Sequence, residues 1–122
     1  SLYHVILNVL GNAIDAISEK GAGSGLISVD MHRSKTEPGR LMIEIFNDGV
    51  PLSDSAQRNL FKPYYTTKSG RDGTGLGLAI SRHFIEKSMD GKIALENCSG
   101  GVKCTIVINE HMQTHEETHG IS

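Results

Sequence analysis

Apolar residues return every three or four positions in two parts of the chain, which is the spacing of an amphipathic helix. The first part covers residues 2–20 and the second covers residues 76–88. The run GAGSG follows the first part, and glycine commonly ends a helix and opens a loop. The pattern therefore predicts one helix at the start of the chain and another in its second half.

Four shorter stretches have the alternation and composition of β-strands. Residues 26–32 and 41–46 flank the turn-like SKTEPG, and residues 92–97 and 102–108 flank CSGG. We therefore expect two β-hairpins. Between them, residues 47–74 show only a short helical pattern at 53–60. An irregular segment of this length in a compact domain is usually functional or disordered.

Length and composition restrict the class of protein. The 122 residues suit one domain, and 38% apolar and 21% charged residues are ordinary for a soluble globular protein. A net charge of −2 argues against a broad basic surface for nucleic acid or anionic lipid. No apolar run is long enough for a membrane span, and the N-terminus shows no signal-peptide pattern. Cys98 and Cys104 alone make neither a metal cluster nor a disulfide framework, so a reducing compartment is expected.

The first helix carries polar residues on one face. Asn8, Asn12, Asp15 and Glu19 follow the spacing i, i+4, i+7, i+11. A solvated surface explains Glu19, but asparagine is a poor residue for a helix interior. An amide oxygen is also a suitable neutral ligand for Mg²⁺, which takes few protein ligands together with phosphate and water. The spacing leaves both interpretations open for the two asparagines.

A second polar cluster, FNDGVPL at residues 46–52, directly follows a predicted strand. Asn-Asp-Gly is typical of a tight turn. The same residues could instead present a carboxylate or amide to a pocket, with Gly49 letting a flat ring approach the backbone. The stretch alone does not decide between these two interpretations.

The third cluster, RDGTGLGLAI, places Gly73, Gly75 and Gly77 directly before the second helix. Glycines at a helix N-terminus expose N–H groups where the helix dipole is positive, which favours an anion. The spacing differs from the P-loop and from the dinucleotide-binding motif. Leu76 and Leu78 favour a packed turn over a flexible linker, and upstream Thr66, Thr67 and Lys68 could reach the same anion.

These clusters, in this order, together with the Phe-x-Pro-Tyr segment in LFKPYYTTK, resemble the GHKL ATP-binding domain of gyrase, the heat-shock chaperone, histidine kinases and MutL. Within that superfamily, residues 5–108 resemble the catalytic domain of a bacterial sensor histidine kinase. The resemblance implies an α/β (α+β) two-layer sandwich, with a mixed β-sheet covered on one face by helices. It also implies a mobile ATP lid over residues 50–73. The ATP-binding domain is then expected over residues 1–110, followed by a frayed polar tail at 111–122.

The resemblance implies ATP and Mg²⁺ as cofactors and assigns roles to residues of all three clusters. Asn8 and Asn12 are the expected catalytic residues, with Asn8 beside the phosphates and Asn12 as the Mg²⁺ ligand. Phe61 and Pro63 are expected to anchor the lid, and the backbone of residues 75–77 to hold phosphate. The full cofactor-binding set is Asn12, Asp15, Asn47, Asp48, Gly49, Phe61, Thr67, Lys68, Gly73, Thr74, Gly75, Leu76, Gly77 and Leu78.

Two departures from the family pattern bear on the chemistry. The family motif D-x-G-x-G supplies an aspartate to the adenine amino group. Aligned on Gly49, that position holds Asn47, and the second glycine is Pro51. Either Asn47 accepts from adenine, more weakly than a carboxylate would, or Asp48 does.

Asn8 stands where ATP-hydrolysing members have a glutamate base, and an amide cannot abstract a proton. Transfer to a protein nucleophile is therefore favoured over rapid hydrolysis.

The implied function is transfer of the γ-phosphoryl group from ATP to a histidine in two-component signal transduction. That histidine is expected on a dimerisation domain outside this chain. The other expected partners are a response regulator and a second copy of the full-length protein, with no nucleic acid. The expected location is the cytoplasm, either free or as part of a membrane-bound sensor. The alternative is a nucleotide-binding regulatory module that has lost phosphotransfer, as the altered motif would allow.

A remote third class is a zinc hydrolase, because HEETH at residues 115–119 matches H-E-x-x-H. Zinc proteases need this motif on a buried helix with a third ligand. No apolar stripe in the polar tail would dock such a helix. The motif is therefore weak evidence for a zinc site.

Overall fold

The computed structural model describes residues 1–63 and 77–110. Its elements follow the order of the sequence patterns, and their ends lie within one or two residues of the predicted ones. They are α1 (Leu2–Lys20), β1 (Ile27–Arg33), β2 (Arg40–Asn47), α2 (Asp54–Asn59), α3 (Gly77–Ser88), β3 (Lys92–Cys98) and β4 (Gly101–Asn109).

Caps at both ends define α1. The Ser1 side chain accepts from the backbone N–H of His4 at the N-terminus, which satisfies a donor that has no partner within the helix. Gly21 adopts the left-handed conformation at φ 72°, and its N–H donates to the carbonyl of Ser18. These local signals explain why the predicted and observed bounds of α1 coincide.

The sheet has the strand order β1-β2-β4-β3, and each of its three pairings is antiparallel. The expected mixed sheet is therefore not found in the described part of the chain. Both hairpins reverse the chain direction, and α3 returns the chain to the far edge, so that β4 runs against β2. The two-layer α/β sandwich itself is confirmed.

The core lies between the sheet and the helices on one face, as expected. Val5, Val9 and Ala13, one turn apart along α1, are buried over the sheet. Alternate residues of β2 and β4 meet them, α3 adds Ile85, and Met89 directly after α3 is also buried there. Burying one such aliphatic side chain contributes about 1.5–3 kcal/mol. The other buried apolar side chains of this layer are Ile43, Ile45, Ile93, Val102, Cys104, Ile106 and Ile108.

The helical layer covers the edge strand β1 less fully. Val29 and Met31 lie opposite Ile45 and Ile43 and so face the helical side of the sheet, yet each is more than half exposed. None of the helices described is both long and apolar enough to cross a membrane.

Candidate functional site

The turn after β2 begins with a buried amide. Asn47 continues the alternation of Ile43 and Ile45, so its side chain enters the helical side of the sheet, where it is only 7% exposed. Its Oδ1 accepts from the N–H of Gly49 at 2.9 Å. The structure thus places Asn47 inside the fold, at the end of a strand and below the helical layer.

Asp48 has a different role in the same turn. Its Oδ1 accepts from the N–H of Leu26 at 2.8 Å, and its own N–H donates to the carbonyl of Leu26. The Lys20 ammonium donates to the Asp48 carbonyl at 2.9 Å. The Asp48 carboxylate therefore ties the turn to the start of β1. Of the two candidates for adenine recognition, Asn47 is the one directed into the fold.

Gly49 is required by the approach of α1. A Cβ at this position would collide with the backbone of Ala16 and lie 2.6 Å from the nitrogen of Ile17. The N–H of Val50 donates to the Ala16 carbonyl at 3.1 Å, which fixes the turn against the helix. The absence of a side chain at Gly49 therefore admits the backbone of α1.

The polar face of α1 meets the start of α3. Asn8 donates from Nδ2 to the hydroxyl of Ser81 at 3.1 Å and to the carbonyl of Gly77 at 3.4 Å. Ser81 is only 1% exposed, so this contact joins the two helices at a buried hydroxyl. Sequence analysis missed Ser81, because a single serine in a helix carries no signal of a partner.

Asn12 lies on α1 midway between these two contacts. It is four residues from Asn8, which binds α3, and four residues from Ala16, which binds the turn. At 1.5 Å per residue each separation is about 6 Å along the helix axis. Asn12 and Asp15 are half-buried on the face that Asn8 presents to α3. The amide face therefore borders both α3 and the buried end of β2.

Phe61 lies just before the limit of the described residues. Its ring is half-buried against the core, and the Arg82 guanidinium of α3 lies 5.4 Å from the ring centroid. Arg82 also donates to Glu86 at 3.0 Å one turn further on. Residues 61 and 82 thus join the segment after α2 to α3. The lid-anchoring role of Phe61 stays a prediction.

Several expected site residues fall outside the described part of the chain. Within the expected lid, residues 50–63 are described and include α2, whereas residues 64–73 are not. Gly77 and Leu78 are described and form the first turn of α3. The expected site residues outside the described ranges are Thr67, Lys68, Gly73, Thr74, Gly75 and Leu76, and the HEETH tail also lies outside them.

The described side chains contain no other obvious metal or nucleophilic centre. Among residues 1–63 and 77–110, no group of three or more His, Cys, Asp or Glu is placed to hold a metal ion. Burial raises the pKa of Cys104 to about 12, which keeps this core thiol protonated.

Comparisons with known proteins agree on one family. The profile of the histidine kinase-, DNA gyrase B-, and HSP90-like ATPase family matches residues 1–112. Sensor histidine kinase ZraS of Salmonella typhimurium is 38% identical over 102 residues, covering 77% of this chain and 20% of its own length. Signal transduction histidine-protein kinase AtoS of Escherichia coli is 32% identical over 108 residues, covering 88% of this chain and 16% of its own. The chain spans about a fifth or less of these curated relatives.

Solved structures show the same fold. The nucleotide-free catalytic domain of histidine kinase ThkA superposes with a TM-score of 0.71 at 32% identity, covering 87% of this chain and 64% of that chain. ThkA in complex with the response regulator protein TrrA superposes with a TM-score of 0.67 at 28% identity, covering 89% of this chain and 28% of that chain. These matches confirm the architecture expected from the sequence.

Proposed function

The chain belongs to the histidine kinase-, DNA gyrase B-, and HSP90-like ATPase family, and from that membership we propose that it binds ATP with Mg²⁺ and supplies the γ-phosphoryl group to a histidine. One observation carries the proposal. Two polar elements contact α1 on either side of Asn12, namely the buried amide turn after β2 and the start of α3. A nucleotide lying along α1 would meet each of them in turn.

Asn47 is proposed to hold the base. Its amide oxygen offers an acceptor for the amino group of adenine. Gly49 fixes the Asn47 oxygen through its N–H, and contact with α1 fixes Gly49. The acceptor is therefore positioned before any ligand arrives, which lowers the ordering cost of binding.

Asn12 and the start of α3 are proposed to hold the phosphate end. Mg²⁺ prefers oxygen ligands and keeps several waters, so one amide together with phosphate oxygens suits it. The half-buried amide of Asn12 fits such an ion, which would neutralise phosphate charge there. The N-terminal N–H groups of the 12-residue helix α3 add positive partial charge beside Asn8.

Asn8 is proposed to orient this end of the site. Its amide nitrogen is bound to α3, and no oxygen or nitrogen of an amide can act as a general base at neutral pH. Positioning and charge stabilisation carry most of phosphoryl transfer. The arrangement therefore favours transfer to an external nucleophile over hydrolysis.

The proposed acceptor is a histidine on a dimerisation domain of a longer, homodimeric protein. A response regulator is the proposed next partner, and the cytoplasm is the proposed location. The complex of ThkA with the response regulator protein TrrA supports this proposed partner, because this chain shares the fold of that kinase. The second candidate function is a regulatory nucleotide-binding module. It is favoured by Asn47 and Pro51, which replace the aspartate and second glycine of the family motif.

Calorimetry with a non-hydrolysable ATP analogue, with and without Mg²⁺, tests the binding step. Asn12→Ala should abolish the Mg²⁺-dependent part of the affinity and leave the fold intact. Ser18→Ala, at an exposed position of the same helix, serves as the control and should bind like the parent chain. Correctly folded protein that takes up no adenine nucleotide in Mg²⁺ would refute the proposal.

Labelled phosphate separates the two candidate functions. The nucleotide-loaded chain is mixed with the histidine-bearing helices of its own full-length protein. Label on histidine supports the kinase, whereas tight nucleotide binding without any transfer supports the regulatory module.

A further inference from the structure

The side chain of Asn97 holds both backbone groups of Leu52. Its Oδ1 accepts from the Leu52 N–H at 2.7 Å, and its Nδ2 donates to the Leu52 carbonyl at 3.0 Å. In an antiparallel sheet, a residue of the neighbouring strand likewise offers one acceptor and one donor to the backbone of the residue that faces it. Asn97 on the edge strand β3 therefore acts as a one-residue strand partner for a segment that is not itself a strand.

Asn97 lies in the same row of the sheet as Asn47. Both are paired with Val102 of the intervening strand β4, so all three side chains share one face. Gly101 allows the Asn47 carbonyl to approach, because a Cβ there would collide with that oxygen. After Asn47 the chain leaves β2 and passes the end of β4. At Leu52 it lies beside the side chain of Asn97.

Residues 47–52 are thus fixed at three points along their length. Asn47 is buried at the start, the N–H of Val50 binds Ala16 in the middle, and Leu52 binds Asn97 at the end. The first two anchors contact the elements described for the site, whereas the third reaches the far edge of the sheet. Asparagine is depleted in strands, so its presence in β3 calls for a reason beyond strand formation.

We propose that Asn97 is a positioning residue for nucleotide binding, which sets the path of residues 47–52 and so the placement of the Asn47 amide. The inference rests on the proposed function. Without the third anchor, ordering of the turn becomes part of the cost of binding. Loss of one well-formed hydrogen-bonded contact should weaken affinity about tenfold. The loss of affinity should be equal for adenosine, ADP and ATP, because the Asn47 amide is proposed to contact the adenine base that all three ligands share.

Asn97→Asp is the sharpest variant. The carboxylate has nearly the same shape as the amide and still accepts from the Leu52 N–H, but it cannot donate to the Leu52 carbonyl. Asn97→Ala removes both contacts. Glu96→Ala is the matched control, since Glu96 is the neighbouring exposed residue and points to the opposite face of β3.

The dissociation constants for adenosine, ADP and ATP are measured by calorimetry at a temperature where denaturant titration shows every variant fully folded. The expected result is an equal rise of about tenfold for all three ligands in Asn97→Asp, at least as large a rise in Asn97→Ala, and none in Glu96→Ala. Asn12→Ala should instead leave adenosine affinity unchanged. Hydrogen exchange at the Leu52 amide should quicken in Asn97→Ala.

A purely structural role would lower the free energy of unfolding of the Asn97 variants but leave their dissociation constants equal to those of Glu96→Ala. That result would overturn this inference and leave the proposed function standing. A parent chain that binds no adenine nucleotide would overturn the proposed function and this inference with it.

Discussion

The side-chain amide of Asn8 donates to the hydroxyl of Ser81 at 3.1 Å across 73 positions of sequence. It is the shorter of the two hydrogen bonds that Asn8 donates to α3, and Ser81 is almost completely buried. The contact thus sets the approach of the helix that carries the asparagine face to the helix that follows the glycine-rich stretch.

A double-mutant cycle on this pair should reveal coupling. Asn8→Ala and Ser81→Ala each remove one partner, and the two changes together should cost about 0.5–1.5 kcal/mol less than the sum of their separate costs. The cycle cancels the gain in helix propensity that alanine brings at position 8. Urea denaturation gives the four unfolding free energies. Additivity within about 0.3 kcal/mol would show that the hydrogen bond does not contribute.

Gly49→Ala should destabilise the fold by about 1–3 kcal/mol, because the new Cβ meets the backbone of α1, which cannot move aside like a side chain. Gly11→Ala is the matched control. A Cβ at Gly11 meets nothing within 4 Å, and alanine is the better helix former by about 1 kcal/mol, so that variant should be more stable than the parent. Equal effects of the two substitutions in chemical denaturation would contradict the packing of the turn on α1.

Stability should depend on pH through a pair on the open face of the sheet. His32 Nε2 lies 2.9 Å from Glu44 Oε1, and Lys103 lies 3.2 Å from the other oxygen of Glu44. The hydrogen bond from His32, followed by that from Lys103, lowers the pKa of Glu44 from 4.5. The hydrogen bond to Glu44 raises the pKa of His32 from 6.5.

The stabilisation from His32 is complete below its unfolded pKa of 6.5 and is lost as pH rises through the higher folded value. The stabilisation from Glu44 is complete above 4.5 and is lost as pH falls through the lower folded value. The difference in unfolding free energy between the parent and His32→Gln should therefore be largest between pH 4.5 and 6.5 and decline above that window. In a Glu44→Gln background the pH dependence of this difference should become smaller, because the largest cause of the raised His32 pKa is removed. A difference that stays constant from pH 4.5 to 9 would refute the pairing.

Substitutions at positions 47 and 48 should separate the two candidates for adenine recognition. Asn47→Asp restores the charged acceptor of the family motif and should tighten ADP binding severalfold, up to about tenfold. Asp48→Asn keeps an acceptor for the Leu26 N–H and should leave the affinity nearly unchanged. Calorimetry with ADP measures both. Weaker binding in Asp48→Asn, with no change in Asn47→Asp, would reverse the assignment.

Local patterns predicted the helices and strands well, because each of these elements is determined mainly by residues close together in the sequence. The caps at Ser1 and Gly21 define α1, and period-two alternation defines β2 and β4. The mixed sheet was inferred from the family resemblance alone, and the described strands do not contain it.

The burial of Asn47, unlike its proposed contact with adenine, could have been predicted from the sequence. Asn47 has the same parity as Ile43 and Ile45, so strand alternation alone places it on the buried face. The contact between Asn97 and Leu52 could not be predicted, since it joins an exposed strand residue to a loop 45 positions away. The pair of His32 and Glu44 likewise depends on the register between two strands.

The contacts of α1 with α3 and with the turn after β2 are eight residues apart on one continuous helix. A single residue inserted between Asn8 and Ala16 would advance one contact by 1.5 Å and rotate it by about 100° relative to the other. No rearrangement of side chains could compensate for such a rotation. This stretch of the chain can therefore vary by substitution, but its length is set by the geometry of the α-helix.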